Sequence, residues 1–251
     1  MRDEVTWAGH ATVALRIGGV RVLADPLLTE RVVHLRRRTP SPDPALAAAD
    51  LVLVSHAHHD HLDRRSLRRV AAASPHAEIV TPFGTARLLR DLGWRAVHEV
   101  APGEALDVAG VRLRVTEARH RGGRGRREDP GMGAVGYVVE RAGRRVYLAG
   151  DTDLFDAMAD LGNPDLAAVP IAGWWRTLGP GHLDAERAAE AVARIDPGRV
   201  LPIHWGTLAP GVSRRRPAWL DQPVADFAAA LGRRGLQGRL LRLEPGRPAA
   251  W

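Results

Sequence analysis

Neither cysteine nor lysine occurs in the 251 residues. Without cysteine there is no disulfide to stabilise a fold and no thiolate for a soft metal, so any metal ligand must be an imidazole or a carboxylate. The missing lysine leaves all 36 basic side chains as arginine, and beside abundant Ala, Gly and Pro this looks like the codon bias of a GC-rich genome. Those arginines give a formal charge of +7 but spread along the chain, with short clusters at Arg36-Arg37-Arg38, Arg64-Arg65, Arg68-Arg69 and Arg214-Arg215-Arg216. Aromatics make up only 5% of the residues and few interleave with the clusters, so nucleic acid is not the expected partner and no stacking platform is present. A run of about 18 apolar residues is also missing, which excludes a spanning helix. Met1-Arg2-Asp3-Glu4 has no apolar signal core, so a cytoplasmic location is expected.

No linker, low-complexity stretch or repeat divides the chain, and residues 1–251 are read as one domain with a large core. The passage Thr39 to Pro44 reads as a surface loop ahead of a short helix that Pro44 starts. Strand patterns cover Glu4 to Leu15, Val20 to Ala24, Leu51 to Val54, Glu78 to Thr81, Val111 to Glu117, Ala134 to Glu140, Arg144 to Ala149, Leu166 to Pro170 and Val200 to Pro202. Helical spacing marks Arg64 to Ala73, Thr85 to Leu92, Ala185 to Ile195 and Val224 to Leu231, with Asp63 and Asp184 as N-caps.

The segment Ser55-His56-Ala57-His58-His59-Asp60-His61-Leu62-Asp63 follows directly on the apolar run Leu51-Val52-Leu53-Val54. At the end of an extended strand, His56 and His58 leave on the same side and can share one ion. Asp60 and His61 open the next, helical segment and can turn toward a second. Imidazole nitrogen and carboxylate oxygen suit zinc, manganese or iron. His59 falls between the ligand positions, and His10, His34, His76 and His98 are read as structural or surface residues.

This H-x-H-x-D-H pattern resembles the metallo-beta-lactamase superfamily. So does Val5-Thr6-Trp7-Ala8-Gly9-His10-Ala11-Thr12, which is similar to the branch holding ascorbate-phosphate lactonase-like proteins and N-acyl-phosphatidylethanolamine phospholipase D. The resemblance implies three further ligands in order: His120 after a strand, Asp151 in Gly150-Asp151-Thr152, and His204 closing Val200-Leu201-Pro202-Ile203. It also implies an α/β fold, the four-layer αββα sandwich, with two facing mixed sheets and outer helices. On this reading His56, His58 and His120 hold one ion, Asp60, His61 and His204 the other, and Asp151 bridges them at about 3.5–4 Å. The implied activity is hydrolysis by a water that two divalent ions, zinc first among them, acidify toward neutral pH. Asp25 would orient a ligand imidazole, Gly150 would allow close backbone approach, and His182 would donate a proton, bind a phosphate oxygen, or merely cap a helix.

The loop from Arg119 to Arg127 holds five arginines besides His120. Folded over the ions it would make an anion-binding lid in which Arg121 and Arg124 touch a small anionic substrate: a phosphoester, phosphodiester or phosphorylated lactone. A plain lactone or carboxylic ester is the alternative chemistry, and a non-catalytic binding protein of the same fold is the alternative class. Trp174 and Trp175 form a wall of the site, part of the core, or a contact in a homo-oligomer.

Overall fold

The computed structural model describes residues 3–124, 132–173, 178–212 and 216–251. The chain opens with a meander of β1 (Glu4–Gly9), β2 (Thr12–Ile17) and β3 (Val20–Ala24), followed by the small hairpin β4 (Arg31–Val32) and β5 (Leu35–Arg37). Then come β6 (Leu51–Leu53), α1 (Arg64–Ala73), β7 (Glu78–Pro82) and β8 (Ala96–Val100). Four antiparallel strands follow: β9 (Ala105–Val108), β10 (Val111–Glu117), β11 (Val135–Arg141) and β12 (Arg144–Leu148). The chain continues through β13 (Leu166–Pro170), α2 (Ala185–Ile195), β14 (Arg199–Ile203), β15 (Leu208–Pro210), α3 (Gln222–Arg233) and β16 (Pro248–Ala250). One sheet has the order β16-β1-β2-β3-β6-β7-β8, the second β14-β13-β12-β11-β10-β9, and a third, small one β15-β5-β4.

Strand β6 shows why the layers form. Every residue from Leu51 to Val54 is buried, but Leu51 and Leu53 join the core between the two large sheets, whereas Val52 and Val54 pack with Leu67 and Val70 of α1. A strand covered on both faces carries no polar alternation. On the far side of the second sheet, Ala188, Val192, Phe227 and Leu231 of α2 and α3 complete the core. This is the expected αββα arrangement.

Asp63 and Asp184 cap their helices, accepting from the Ser66 and Arg187 backbone N–H groups. Two expectations need correction. The strand read from Glu4 to Leu15 is a hairpin, broken where Gly9 and His10 take φ of +95° and +53°. The helix read over Thr85 to Leu92 is only a 3-10 turn at Ala86–Leu88, because the Thr85 hydroxyl turns back to the Pro82 carbonyl and caps no N–H. The small third sheet, β8, β9 and β16 lie outside the predicted strands, the shortest being two or three residues long and below what periodicity can register.

Strands β3 and β6 run parallel, as do β12, β13 and β14. Their carboxyl ends meet at one edge of the sandwich, the usual place for a ligand in such sheets. Asp25, Ser55, Gly150 and His204 each sit within two residues of such an end.

Candidate metal centre

Three imidazoles converge first. His56 Nε2 lies 2.9 Å from His58 Nδ1, which is 3.2 Å from His120 Nε2. The other set is Asp60, His61 and His204, with Asp60 Oδ2 at 4.0 Å from His61 Nε2 and 3.8 Å from His204 Nε2. Between the sets stands Asp151, whose Oδ2 is 3.3 Å from both His61 and His204 and 4.0 Å from both His56 and His120. These residues come from four separated stretches, and His56, His61, Asp151 and His204 are buried.

The nitrogens facing away from this centre are tied down. His61 Nδ1 is 2.8 Å from Asp25 Oδ2, His120 Nδ1 donates to the Gly181 carbonyl at 2.8 Å, and His204 Nδ1 to the Ala172 carbonyl at 2.8 Å. Such bonds fix tautomer and ring orientation, leaving Nε2 as a free ligand atom. Asp25 also accepts from the Ser55 backbone N–H at 2.7 Å and the Ser55 hydroxyl at 2.6 Å. Gly150, at φ +61°, lies so close to Ser55 that a Cβ would come within 2.5 Å of the Ser55 Cβ.

The donor set fits divalent ions. His61 Nε2, His204 Nε2 and Asp151 Oδ1 are buried and have no hydrogen-bond partner among the described residues, an arrangement costly for a protein that binds nothing there. Charge agrees. Burial would raise the carboxyl of Asp151, but the imidazoles of His204 and His61 hold it well below the usual range. Burial likewise opposes ionisation of Asp60, but the imidazoles of His10, His204 and His61 together outweigh it and hold the carboxyl well below its usual range. Burial keeps His56 far below its ordinary value and His58 at about 4, so both are neutral at pH 7, the form in which an imidazole can bind metal. His61 differs: burial lowers it, yet Asp151 and Asp25 raise it well above its ordinary value. Its proton neutralises the neighbouring carboxylates, a role that a bound cation would supply instead.

All seven expected ligand residues therefore meet in space, and His182 joins them, with Nε2 3.4 Å from Asp151 Oδ2 and Nδ1 bonded to the Gly179 carbonyl at 3.2 Å. Other expectations are corrected. Arg124 does not face the cleft: its Nε donates to the Ala57 carbonyl at 2.8 Å and its Nη2 to the Leu62 carbonyl, so it braces the ligand loop from behind. Arg121 is exposed and absent from the cleft wall. Trp174, Trp175, Arg126 and Arg127 lie outside the described residues. His10, read as structural or surface, is buried at 1% exposure with Nε2 2.9 Å from Asp60 Oδ2. The available signal was an imidazole at a Gly-His break in an apolar hairpin. His34 belongs to the lip of the cleft, not to an unrelated surface.

Residues 20–205 match the profile of the Beta-lactamase superfamily domain. The chain belongs to the metallo-beta-lactamase superfamily. Within it, the chain is 32% identical over 249 residues to a UPF0173 metal-dependent hydrolase of Methanopyrus kandleri, with 97% of each chain covered. It is 29% identical to an N-acyl-phosphatidylethanolamine-hydrolyzing phospholipase D of Caenorhabditis elegans, covering 83% of this chain and 65% of that one. Among solved structures, the metallo hydrolase Igni18 of Ignicoccus hospitalis superposes with a TM-score of 0.75 at 23% identity, over 100% of this chain and 99% of that one. This superfamily member is a metal-dependent hydrolase with a His/Asp metal site. Among its described residues no helix is long and apolar enough to cross a membrane.

Proposed function

We propose that this hydrolase uses two divalent ions to cleave a small ester or lactone. The observation that carries the reading is the central placement of Asp151, within 4.0 Å of ligand nitrogens from both sets. His56, His58 and His120 would hold one ion, Asp60, His61 and His204 the other, and Asp151 would be shared. Nitrogen and oxygen ligands of this kind suit zinc, with manganese or iron as alternatives. When bound, such ions supply Lewis acidity and bring the pKa of a coordinated water toward neutrality. The chain does the rest. His182 lines the cleft and is placed to give its proton to a leaving group.

The cleft favours a small, weakly charged substrate. Its volume is about 280 Å³, and Val32, Val33 and Leu35 of the β4–β5 hairpin give it an apolar wall beside the imidazoles of His59 and His182 that also line it. No arginine lines it among the described residues, and Arg124 is engaged elsewhere. The apolar hairpin wall leads us to place the lactone or carboxylic ester ahead of the phosphoester. A phosphodiester stays as the second reading because of the relative named for hydrolysing N-acyl-phosphatidylethanolamine.

The test compares protein loaded with zinc or manganese against chelator-stripped protein on p-nitrophenyl acetate, a simple lactone and bis(p-nitrophenyl) phosphate. Turnover that needs two equivalents of metal and is highest on the carbonyl substrates is expected. Highest turnover on the phosphodiester would reverse the order of substrates, and turnover indifferent to chelator would overturn the metal reading.

A further inference from the structure

We infer that His10 is a positioning residue of the metal centre, its imidazole holding the Asp60 carboxylate while its backbone holds His204. This rests on the two-ion reading, in which Asp60 and His204 serve the same ion. His10 sits in the turn between β1 and β2 at φ +53°, and His204 is left-handed too, at φ +63°. Such conformations are strained for a residue with a Cβ and persist only where surroundings impose them. The surroundings here are specific. The His10 backbone N–H donates to the Thr207 hydroxyl at 2.6 Å, and its carbonyl accepts from the Trp7 indole at 2.8 Å and from the His204 backbone N–H at 2.8 Å. Trp7 stacks on Trp205 with ring centroids 5.0 Å apart. The β1–β2 turn and the loop that follows β14 are thus locked together on either side of the second ligand set.

The side chain completes the bracket. His10 Nε2 lies 2.9 Å from Asp60 Oδ2, and its ring centroid is 4.0 Å from that of His204. An ionised carboxylate only accepts, so the proton of this bond belongs to His10 Nε2. Asp60 lies within the turn closed by the bond from the Leu62 N–H to the His58 carbonyl, which fixes its backbone but not the last torsion of its carboxylate. Donation from His10 selects one orientation, with Oδ2 turned toward His61 and His204. Hydrogen-bond partners of metal ligands characteristically change metal affinity by about 10–100-fold.

The experiment titrates cobalt(II) into chelator-stripped wild type, His10→Ala and His10→Gln, reading stoichiometry, affinity and the visible spectrum. Gln places an amide donor near the position of Nε2 but is a poor metal ligand. The first ion should bind His10→Ala as in wild type, while the second binds about 10–100-fold more weakly with an altered spectrum, and His10→Gln should return most of the loss. Wild-type affinity for both ions in His10→Ala would overturn the role, as would equal impairment of the Ala and Gln variants, the signature of direct ligation or simple packing. Should the Ala variant melt earlier in its stripped form, wild-type-like second-ion binding by the Gln variant still supports the role, and its loss still overturns it. If wild type itself takes only one ion, the two-ion reading fails before any variant is compared.

Discussion

Asp151 and Arg124 show how differently two charged residues near one centre can act. Asp151 is buried among imidazoles from both ligand sets, so Asp151→Asn, which keeps the shape and removes the charge, should lose one equivalent of metal by mass spectrometry and lower kcat by about 100-fold or more. Full occupancy with unchanged kcat would remove the bridging assignment. Arg124 makes its contacts with the Ala57 and Leu62 carbonyls on either side of the ligand loop. Arg124→Ala should therefore leave KM nearly unchanged and weaken metal retention, read as metal content after dialysis against chelator, within about 10-fold for one lost support. A raised KM with full metal would instead put the side chain on substrate. His56, His58, Asp60 and His61 stood out because H-x-H-x-D-H concentrates rare residue types at a strand end, whereas His120, Asp151 and His204 were pointed to only by the family resemblance. Arg124 was misread because a guanidinium in a Gly-rich loop looks the same whether it faces an anion or two carbonyls.

Elements are held in register by polar staples as well as by apolar packing. Asp50, just before β6, accepts from the Arg21 backbone N–H at 2.8 Å and from Arg21 Nη2 at 2.8 Å, joining the starts of the parallel strands β3 and β6. The Arg21 guanidinium holds the Asp50 carboxyl well below the usual carboxylate range. A group depressed in the folded state stabilises it above the unfolded pKa, near 4, and that contribution fades as pH falls toward the folded value. Asp50→Asn should cost about 1 kcal/mol at pH 7, given the partial exposure of the pair. Urea midpoints of the two proteins should converge below about pH 4; a gap independent of pH would mean the carboxylate charge is irrelevant. Long periodic elements such as α1 and α2 could be read from their spacing and Asp caps. The hairpin of β4 and β5 could not, although it forms the apolar wall of the cleft, because two or three residues carry no period.

The whole molecule is two sheets closed on a shared core, and the ligand sets draw on both. His56, His58, Asp60 and His61 follow β6 of the first sheet, whereas Asp151 and His204 follow β12 and β14 of the second. Bound ions would therefore cross-link the halves, and metal should stabilise folding by mass action, about 2.7 kcal/mol at 100-fold excess over Kd. A rise in Tm of about 5–10 °C on adding zinc to stripped protein is expected from a chain of this size, and none at all would place the centre outside the folding equilibrium. Composition and local pattern set the chemistry available: without cysteine only imidazoles and carboxylates could bind metal, and a strand feeding H-x-H-x-D-H marked where they begin. Local spacing also settled the main helices and most long strands. Tertiary structure alone decided which other residues share that centre and which way each side chain faces. His10 came into the site because the β1–β2 turn packs against the loop after β14, a contact between residues nearly two hundred positions apart, and Arg124 turned away from the cleft because the Ala57 and Leu62 carbonyls accept its guanidinium; no local pattern encodes either contact.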